Sequence, residues 1–259
     1  MPTDVPIPGE LNRILAETPA LSQAYLVGGC VRDALLELSV KDYDIECFGV
    51  SYDELAQALA KWGRTDLVGK SFGVIKLTTH SGVDYDFSIP RRDSKSGLGH
   101  KGFDVEFDPK ITPAEAAERR DFTINTLMFD PREDRLLDHF DGVTDLNKRV
   151  LRHTSKAFAE DPLRVLRGMQ FVARFGLKAD PLTIDLCRSI RGSYAELAIE
   201  RVRDEWFKWA AKSRQPSLGI FFLEDTGWLE HFPEIAILRD TPQDQQWHPE
   251  GDVLVHTCH

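Results

Sequence analysis

The chain has 259 residues, 42% of them hydrophobic and 29% charged, enough to bury a sizeable core in about one or two domains. A net charge of −10 and a pI near 5.3 argue against a general nucleic-acid binder, and no apolar run approaches the roughly 18 residues of a membrane span. Cys30, Cys47, Cys187 and Cys258 lack Cys-x-x-Cys spacing, and the N-terminus has no basic-then-apolar leader pattern. The sequence therefore predicts a cytoplasmic protein with reduced thiols, without a disulfide frame or a zinc site.

In chain order, residues 9–24 read as a helix with Leu11, Ile14 and Leu15 as its apolar stripe. Tyr25-Leu26-Val27 suits a short buried strand. Gly28-Gly29 follows, where the missing Cβ atoms let backbone approach a ligand. Val31 to Leu38 reads as a helix with Val31, Leu35 and Leu38 on one face, its N-terminal N–H groups aimed where the glycines admit a phosphate. Asp42 and Asp44 stand two apart in an apparent strand and so share a face. Paired carboxylates beside a phosphate cradle make a magnesium site, the geometry of phosphoryl or nucleotidyl transfer. A lone Gly-Gly is a turn and a lone Asp-x-Asp is a solvated pair; the order strand, glycines, helix, carboxylate strand carries the functional reading.

Tyr52 to Trp62 predicts a helix capped by Ser51. Residues 72–77 and 83–89 predict a hairpin whose second strand carries Asp84 and Asp86 on one face. Residues 91–112, rich in Gly, Lys, Arg and Asp, read as a mobile loop, and 113–120 as a short helix. Ile124 to Phe129 fits strand or helix, and Leu136 to Phe140 a short strand. Beyond about residue 145 strand signals stop and helices are predicted over 155–175, 181–191, 196–213 and 217–226. The fold class is therefore α+β, a mixed-sheet head followed by an all-helical part, with the boundary at 145–155. Between Lys148 and Lys178 eight basic residues face two acidic ones, either a nucleic-acid footprint or a solvated helix face.

Further clusters carry chemistry. In Arg119-Arg120-Asp121-Phe122-Thr123-Ile124-Asn125, Arg120 can neutralise phosphate charge and Asp121 with Asn125 can hold ribose hydroxyls; alone, the cluster reads as a surface salt-bridge patch. Asp141-Gly142 with Asp145 reads as a turn before a helix. In Glu160-Asp161-Pro162-Leu163-Arg164, Pro162 suits a first helical turn, which puts Asp161 and Arg164 on one face. A carboxylate beside a guanidinium can meet the Watson–Crick edge of A or C, which both present an amino group, and reject G and U. The plain alternative is a dipole-favoured acid in an ion pair three residues apart.

Gly28-Gly29-x-Val31-Arg32-Asp33 followed by Asp42-x-Asp44 resembles the nucleotidyltransferase motif of the bacterial CCA-adding tRNA nucleotidyltransferases and poly(A) polymerases, class II of the polymerase-β superfamily. The likeness runs over about residues 24–210. It implies that Asp42 and Asp44 hold two Mg2+ ions and that Gly28, Gly29 and Arg32 handle the triphosphate. The 119–125 cluster resembles the family's second motif, which places Arg120, Asp121 and Asn125 on the nucleotide. The 160–164 run resembles its nucleotide-selecting motif, which assigns Asp161 and Arg164, with Arg167 beyond them, to the base. Glu200-Arg201-Val202-x-x-Glu205 resembles the neck motif that braces that helix, and the Trp206, Phe207 and Trp209 aromatics beside it read as core. A third catalytic carboxylate is common in the superfamily; Asp86 is the choice and Asp84 the rival.

The resemblance implies a polymerase-β-like head over 1–150, a helical neck over 151–215 and the start of a body over 216–259. It implies addition of C and/or A from CTP and ATP to a tRNA 3′ end, with pyrophosphate released. The 91–118 segment has the length of enzymes that complete CCA or add A. Poly(A) synthesis, or RNA and nucleotide binding without much catalysis, are the alternatives. Trp247 to His259 resembles the opening of an HD-type phosphohydrolase region; its later His-Asp pair is missing, so His248, His256 and His259 are not taken as ligands and the chain reads as a fragment lacking the parts that grip tRNA.

Overall fold

Hydrophobic alternation and capping residues lay down most of the elements. The computed structural model describes residues 5–66, 73–95, 103–108 and 110–258. Contacts divide them into two units that meet in sequence at Thr144 and Asp145.

The first unit runs α1 (Gly9–Glu17), β1 (Ala24–Val27), α2 (Gly29–Leu35), β2 (Asp44–Cys47), α3 (Tyr52–Leu59), β3 (Gly63–Asp66), β4 (Val74–Thr79), β5 (Asp84–Ser88), β6 (Arg91–Lys95), β7 (Phe103–Phe107), α4 (Pro113–Glu118), β8 (Met128–Asp130) and β9 (Arg135–Leu137). The chain leaves this unit within α5 (Gly142–Asn147). A seven-stranded sheet has the order β3-β4-β5-β2-β1-β8-β9. Every pairing in it is antiparallel except β2 with β5, which is parallel and sets Asp44 opposite Asp86, Ile45 opposite Phe87 and Glu46 opposite Ser88.

Period-two alternation sorts the central strands into two faces. Leu26, Ile45, Cys47, Ile75, Leu77, Tyr85 and Phe87 are buried on one. Leu11, Ile14 and Leu15 of α1 and Leu55 and Leu59 of α3 are buried with them. Two hydrogen bonds bind these helices to β4: Thr79 Oγ1 to Glu10 Oε2 at 3.1 Å and Tyr52 Oη to the Val74 carbonyl at 3.5 Å. Full burial of a side chain such as Phe87 contributes about 1.5–3 kcal/mol. The opposite face is apolar at the β1–β8 side, where Val27, Phe48, Met128 and Ala117 of α4 cluster. Further along, Asp44, Glu46, Asp86 and Ser88 occupy it, exposed or half-buried. The sheet thus has an apolar back and a front divided between a small core and a charged floor.

Ser51 and Thr112 cap α3 and α4 through reciprocal capping boxes with Glu54 and Glu115. Asp138 accepts from the backbone amides of Gly142 at 2.8 Å and Val143 at 2.9 Å, closing the turn into α5. Gly142 is required there, since a Cβ would lie 2.4 Å from the Thr123 carbonyl oxygen.

The second unit contains β10 (Val150–Leu151), α6 (Leu163–Phe175), β11 (Lys178–Ala179), α7 (Pro181–Ser189), α8 (Ile199–Lys212), α9 (Pro216–Asp225), α10 (Pro233–Ala236) and α11 (Val253–Cys258). Helix α6 packs against both α8 and α9 and buries Leu163, Val165, Leu166, Met169 and Val172. It stops at Gly176, whose φ of 63° is the left-handed C-terminal conformation.

Several expectations are corrected. The segment read as a loop over 91–112 contains β6 and β7, paired antiparallel from Arg91↔Phe107 to Lys95↔Phe103, while residues 96–102 and 109 lie outside the described part. Its charged composition hides the alternation of Phe103-Asp-Val-Glu-Phe107. Strand β3 is an addition to the expected elements: Gly63-Arg-Thr-Asp66 has almost no apolar signal, and an edge strand needs none, being held by its ladder to β4. The second unit is not purely helical, since β10 and β11 pair in parallel. Helix α2 begins two residues before the expected start and ends at Leu35, before Leu38. Residues 9–24 divide into α1 and a 3-10 turn at Pro19–Leu21, where proline ends the regular hydrogen bonding. The stretch 124–129 resolves into a 3-10 turn at Thr123–Asn125 and then β8.

Candidate active site

The turn after β1 sets the geometry. Gly28 has φ 67° and ψ −119°, a region open essentially to glycine, and its N–H donates to the Leu127 carbonyl at 3.1 Å. A Cβ at this position would lie 3.1 Å from Arg120 Nη1, so the missing side chain also makes room for a guanidinium. Gly29 opens α2, and a Cβ there would meet only Arg32 Nη2, at 3.7 Å.

Arg120 is held from two sides: Nη2 donates to Glu46 Oε2 at 2.9 Å and Nη1 to the Asn125 carbonyl at 3.1 Å. Arg32 is buried in α2 and donates to the Asn125 side-chain oxygen and to Asp33 Oδ1. Asn125 in turn donates through Nδ2 to Asp121 Oδ1 at 2.9 Å, which also accepts from the Phe122 N–H at 2.8 Å. Arg32, Asn125 and Asp121 thus form one buried chain that ties α2 to the 120–125 segment. A buried polar network of this kind is costly when broken, which fixes the orientation of its members.

Asp44 opens β2, and Asp42 lies just before the strand, not within it as its spacing suggested. The parallel register puts Asp86 directly beside Asp44. Asp44 retains solvent-accessible area, but protein packed around its carboxylate raises its pKa above the usual range. The negative charge of Asp86 adds to that rise, as do Asp42 and Glu46, while Arg120 opposes it. Asp86 Oδ1 is buried with no hydrogen-bond partner. Crowded carboxylates that repel one another, one with an orphaned buried oxygen, are a donor set suited to a hard divalent cation. Asp84 behaves differently. It accepts from Thr78 Oγ1 at 2.7 Å and Lys76 Nζ at 3.4 Å, and the Thr78 hydrogen bond lowers its pKa.

In the second unit, Asp161 lies ahead of α6 in extended conformation, with Pro162 as the N-cap. Asp161 and Arg164 are therefore not successive members of one helical face as expected. Asp161 Oδ1 accepts from the Leu163 N–H at 3.2 Å, and its carboxylate takes a two-pronged ion pair from Arg201 of α8, at 2.9 and 3.3 Å. Arg164 Nη1 donates to the Ala157 carbonyl at 2.8 Å, and the Arg167 guanidinium lies 5.3 Å from the Phe171 ring centre. The basic run is partly structural, since Arg152 pairs with buried Asp145 at 3.1 Å and with Asp180 at 2.7 Å. Phe207, expected in the core, is 65% exposed, whereas Trp206 packs edge-on against Trp209 and Phe232.

Further on, potential ligand atoms of His248, Glu250 and His256 lie within 4.8 Å of one another. Glu250 is held down to about 2, by its own backbone amide first and by His256 next. Two of the histidines set aside on sequence grounds are thus brought together; His259 lies outside the described residues.

Glu46 escapes sequence reasoning as a member of the site, while Arg201 enters it only through the neck-motif resemblance, with no partner assigned. Glu46 continues the Asp42-x-Asp44 alternation by one step, a visible signal. The pairing of Arg201 with Asp161 joins positions forty apart, and no local pattern announces it.

A mixed sheet with a glycine turn at β1 and carboxylates on neighbouring parallel strands is the polymerase-β-like nucleotidyltransferase head. Residues 24–152 match the poly(A) polymerase head domain family. The chain is 40% identical over 241 residues to the multifunctional CCA protein of Psychromonas ingrahamii, covering 91% of this chain and 56% of that one. The corresponding protein of Vibrio parahaemolyticus is 40% identical over 242 residues, 91% of this chain and 57% of that one. The chain thus spans about half the length of the curated relatives it matches. Among solved structures, the Bacillus stearothermophilus CCA-adding enzyme in complex with CTP superposes with a TM-score of 0.70 at 26% identity, over 85% of this chain and 53% of that one. The Thermotoga maritima CCA-adding enzyme complexed with tRNA shares the fold, with a TM-score of 0.70 at 23% identity over 93% and 55% of the two chains. The head of this chain, residues 24–152, thus carries the poly(A) polymerase head domain, and 91% of the chain is similar to multifunctional CCA proteins. Among the described residues no helix is long and apolar enough to cross a membrane.

Proposed function

We propose that the protein is a template-independent nucleotidyltransferase that adds C and/or A from CTP and ATP to the 3′ end of tRNA, releasing pyrophosphate. The observation that carries this reading is the parallel pairing of β2 with β5, which sets Asp86 beside Asp44 with a buried carboxylate oxygen unsatisfied. The curated relatives bear the name of CCA proteins, and one structural neighbour was solved with CTP.

Asp42, Asp44 and Asp86 would hold the divalent cations, Mg2+ in this reading, which when bound activate the RNA 3′-hydroxyl and balance charge on the triphosphate. The 3′-hydroxyl gives up its proton to solvent and its oxygen forms a bond to the α-phosphorus, while the bond from that phosphorus to the β-phosphate bridging oxygen breaks and pyrophosphate leaves with the bonding pair. Gly28 and Gly29 let the triphosphate approach the backbone, and Arg120 supplies positive charge beside the Gly28 turn. Arg32 backs that turn from inside, and Asp121 with Asn125 would hold the ribose hydroxyls. Asp161 accepts the exocyclic N–H of A or C and Arg164 donates to the neighbouring ring acceptor, with Arg167 alongside. Asp86 is preferred to Asp84 as third carboxylate because Asp84 is engaged by Thr78 and Lys76. In this reading residues 1–150 are the head, 151–215 the neck and 216–259 the start of a body, in a cytoplasmic enzyme.

The head-domain match to poly(A) polymerases makes tail synthesis the second reading. The two are separated by extending tRNA transcripts that end before CCA, after C or after CC, with each nucleoside triphosphate and Mg2+. Ordered C, C, A addition establishes the proposal in full, and A addition to the CC-ending transcript alone narrows it to A addition. Long A tails on any RNA establish tail synthesis instead. Absence of product with every RNA and metal concentration overturns the catalytic reading in favour of binding.

A further inference from the structure

Glu46 has no part in the chemistry above, yet its side chain borders the carboxylate floor. It is the third acid in the alternation Asp42-x-Asp44-x-Glu46, on the front of the sheet opposite Ser88 of β5. Its carboxylate does not face the cation donors alone, because it takes Arg120 Nη2 at 2.9 Å in a pair whose side chains are only 20% and 13% exposed. Removing one partner from so enclosed a pair leaves the other charge poorly solvated and driven to find a new partner.

For Arg120 the alternative partners stand on the same face of the sheet as Glu46: Asp44 one alternation step back along β2, and Asp86 beside it on β5. An arginine released from Glu46 gains most by turning to those carboxylates, where it would compete with a cation. Held by Glu46 and by the Asn125 carbonyl, the guanidinium instead lies against the Gly28 turn, where a Cβ would be only 3.1 Å from Nη1.

We infer that Glu46 is a positioning residue: it anchors Arg120 over the Gly28 turn for a nucleoside triphosphate and keeps it off the Asp44–Asp86 pair. The inference rests on the nucleotidyltransferase reading of this site. Glu46 touches no substrate in it and acts only through Arg120.

The test is calorimetric titration of the whole chain with CTP and with CMP across a range of Mg2+ concentrations, without RNA. The variants are Glu46→Ala, Glu46→Gln, Arg120→Ala and the double Glu46→Ala/Arg120→Ala. Glu46→Ala is expected to weaken CTP about tenfold, in the range of coupling between contacting residues, and to raise the Mg2+ needed for half-maximal CTP binding. CMP binding stays as in the wild type. Glu46→Gln, which keeps an acceptor for Nη2, recovers much of the loss. In the Arg120→Ala background, removal of Glu46 adds no further loss.

If the wild type binds CTP and Glu46→Ala binds it equally well at every Mg2+ concentration, the role of Glu46 falls while the site survives. Equal weakening of CTP and CMP with a lowered melting temperature and no rescue by Gln reduces the pair to a structural tie and also overturns the inference. Should Glu46→Ala fail to fold, Glu46→Gln decides: its CTP affinity must lie below that of the wild type while CMP affinity does not change. A wild type that binds no triphosphate removes the site reading and the inference together.

Discussion

At the residue scale, the most consequential group is Asp44. Burial and the neighbouring Asp86 raise its pKa, so the folded state holds its proton more tightly than the unfolded chain does. Its contribution is therefore neutral below the ordinary carboxylate pKa and becomes a cost as pH rises through the folded value. Asp44→Asn is expected to abolish nucleotide transfer and to raise the melting temperature at pH 7–8. That gain should shrink as pH falls toward about 4, the usual Asp range. Mg2+ should raise the melting temperature of the wild type and much less that of the variant. A variant less stable than the wild type at pH 8, without Mg2+, would show that Asp44 is an ordinary solvated acid.

At the element scale, β5 separates function from stability by alternation alone. Asp86 faces the floor and Phe87 the apolar back, while Asp84 is engaged on the hairpin. Asp86→Asn is expected to cut kcat by about 100-fold or more, the scale of a lost charge-stabilising contact, with little change in melting temperature. Asp84→Asn should leave kcat within about twofold, as surface changes do. Phe87→Ala should destabilise the protein by about 3–5 kcal/mol, read from the urea midpoint. Strong loss of turnover in Asp84→Asn with none in Asp86→Asn would reverse the assignment of the third carboxylate.

A second element-scale consequence concerns the segment before α6. Arg201 of α8 grips Asp161 with two contacts, so the direction of that carboxylate is set by another helix. Asp161→Ala is expected to blur discrimination of ATP and CTP from GTP and UTP more than it slows transfer. Arg201→Ala should blur it in the same sense, because Asp161 loses its bearing. Single-nucleotide incorporation assays with each triphosphate decide this, and clean selection of A and C by Asp161→Ala would remove its base-reading role.

At the scale of the whole molecule, burial of the cysteines reports on both units at once. Cys30 is pushed up to about 11 and Cys187 to about 12 by burial, and Cys47 is raised further for the same reason. Cys258 is half-buried, the remaining free thiol of the four. A thiol reagent at pH 8 is expected to modify only Cys258 in the native protein and all four thiols in denaturant. Rapid labelling of Cys30 or Cys47 without denaturant would mean that the β1–β2 region opens readily.

What local chemistry decides is legible in the order of residues. Helices α1, α3 and α6 to α9 follow from apolar spacing, with Ser51 as the cap of α3. The β4–β5 hairpin follows from alternation around a Gly turn, and the structure sets its second strand beside β2. The motif around Gly28 and Asp44 is visible for the same reason: short-range order of residue types survives in one dimension. Strand β3 and the β6–β7 pair are not legible, because an edge ladder is made by backbone hydrogen bonds to a partner and leaves little trace in side-chain hydropathy.

The tertiary structure alone decided which charges meet. The register of β2 on β5 sets Asp86 against Asp44, a consequence of parallel pairing over forty residues of intervening chain. Glu46 with Arg120 and Asp161 with Arg201 are likewise long-range pairs, fixed by packing of whole elements and invisible to spacing. The sequence by itself determined the kind of chemistry, since carboxylates, glycines and arginines carry it wherever they stand. The direction of each charged group, and hence which one can hold a cation, a phosphate or a base, was decided by the fold, because electrostatic interaction depends on distances that folding alone sets.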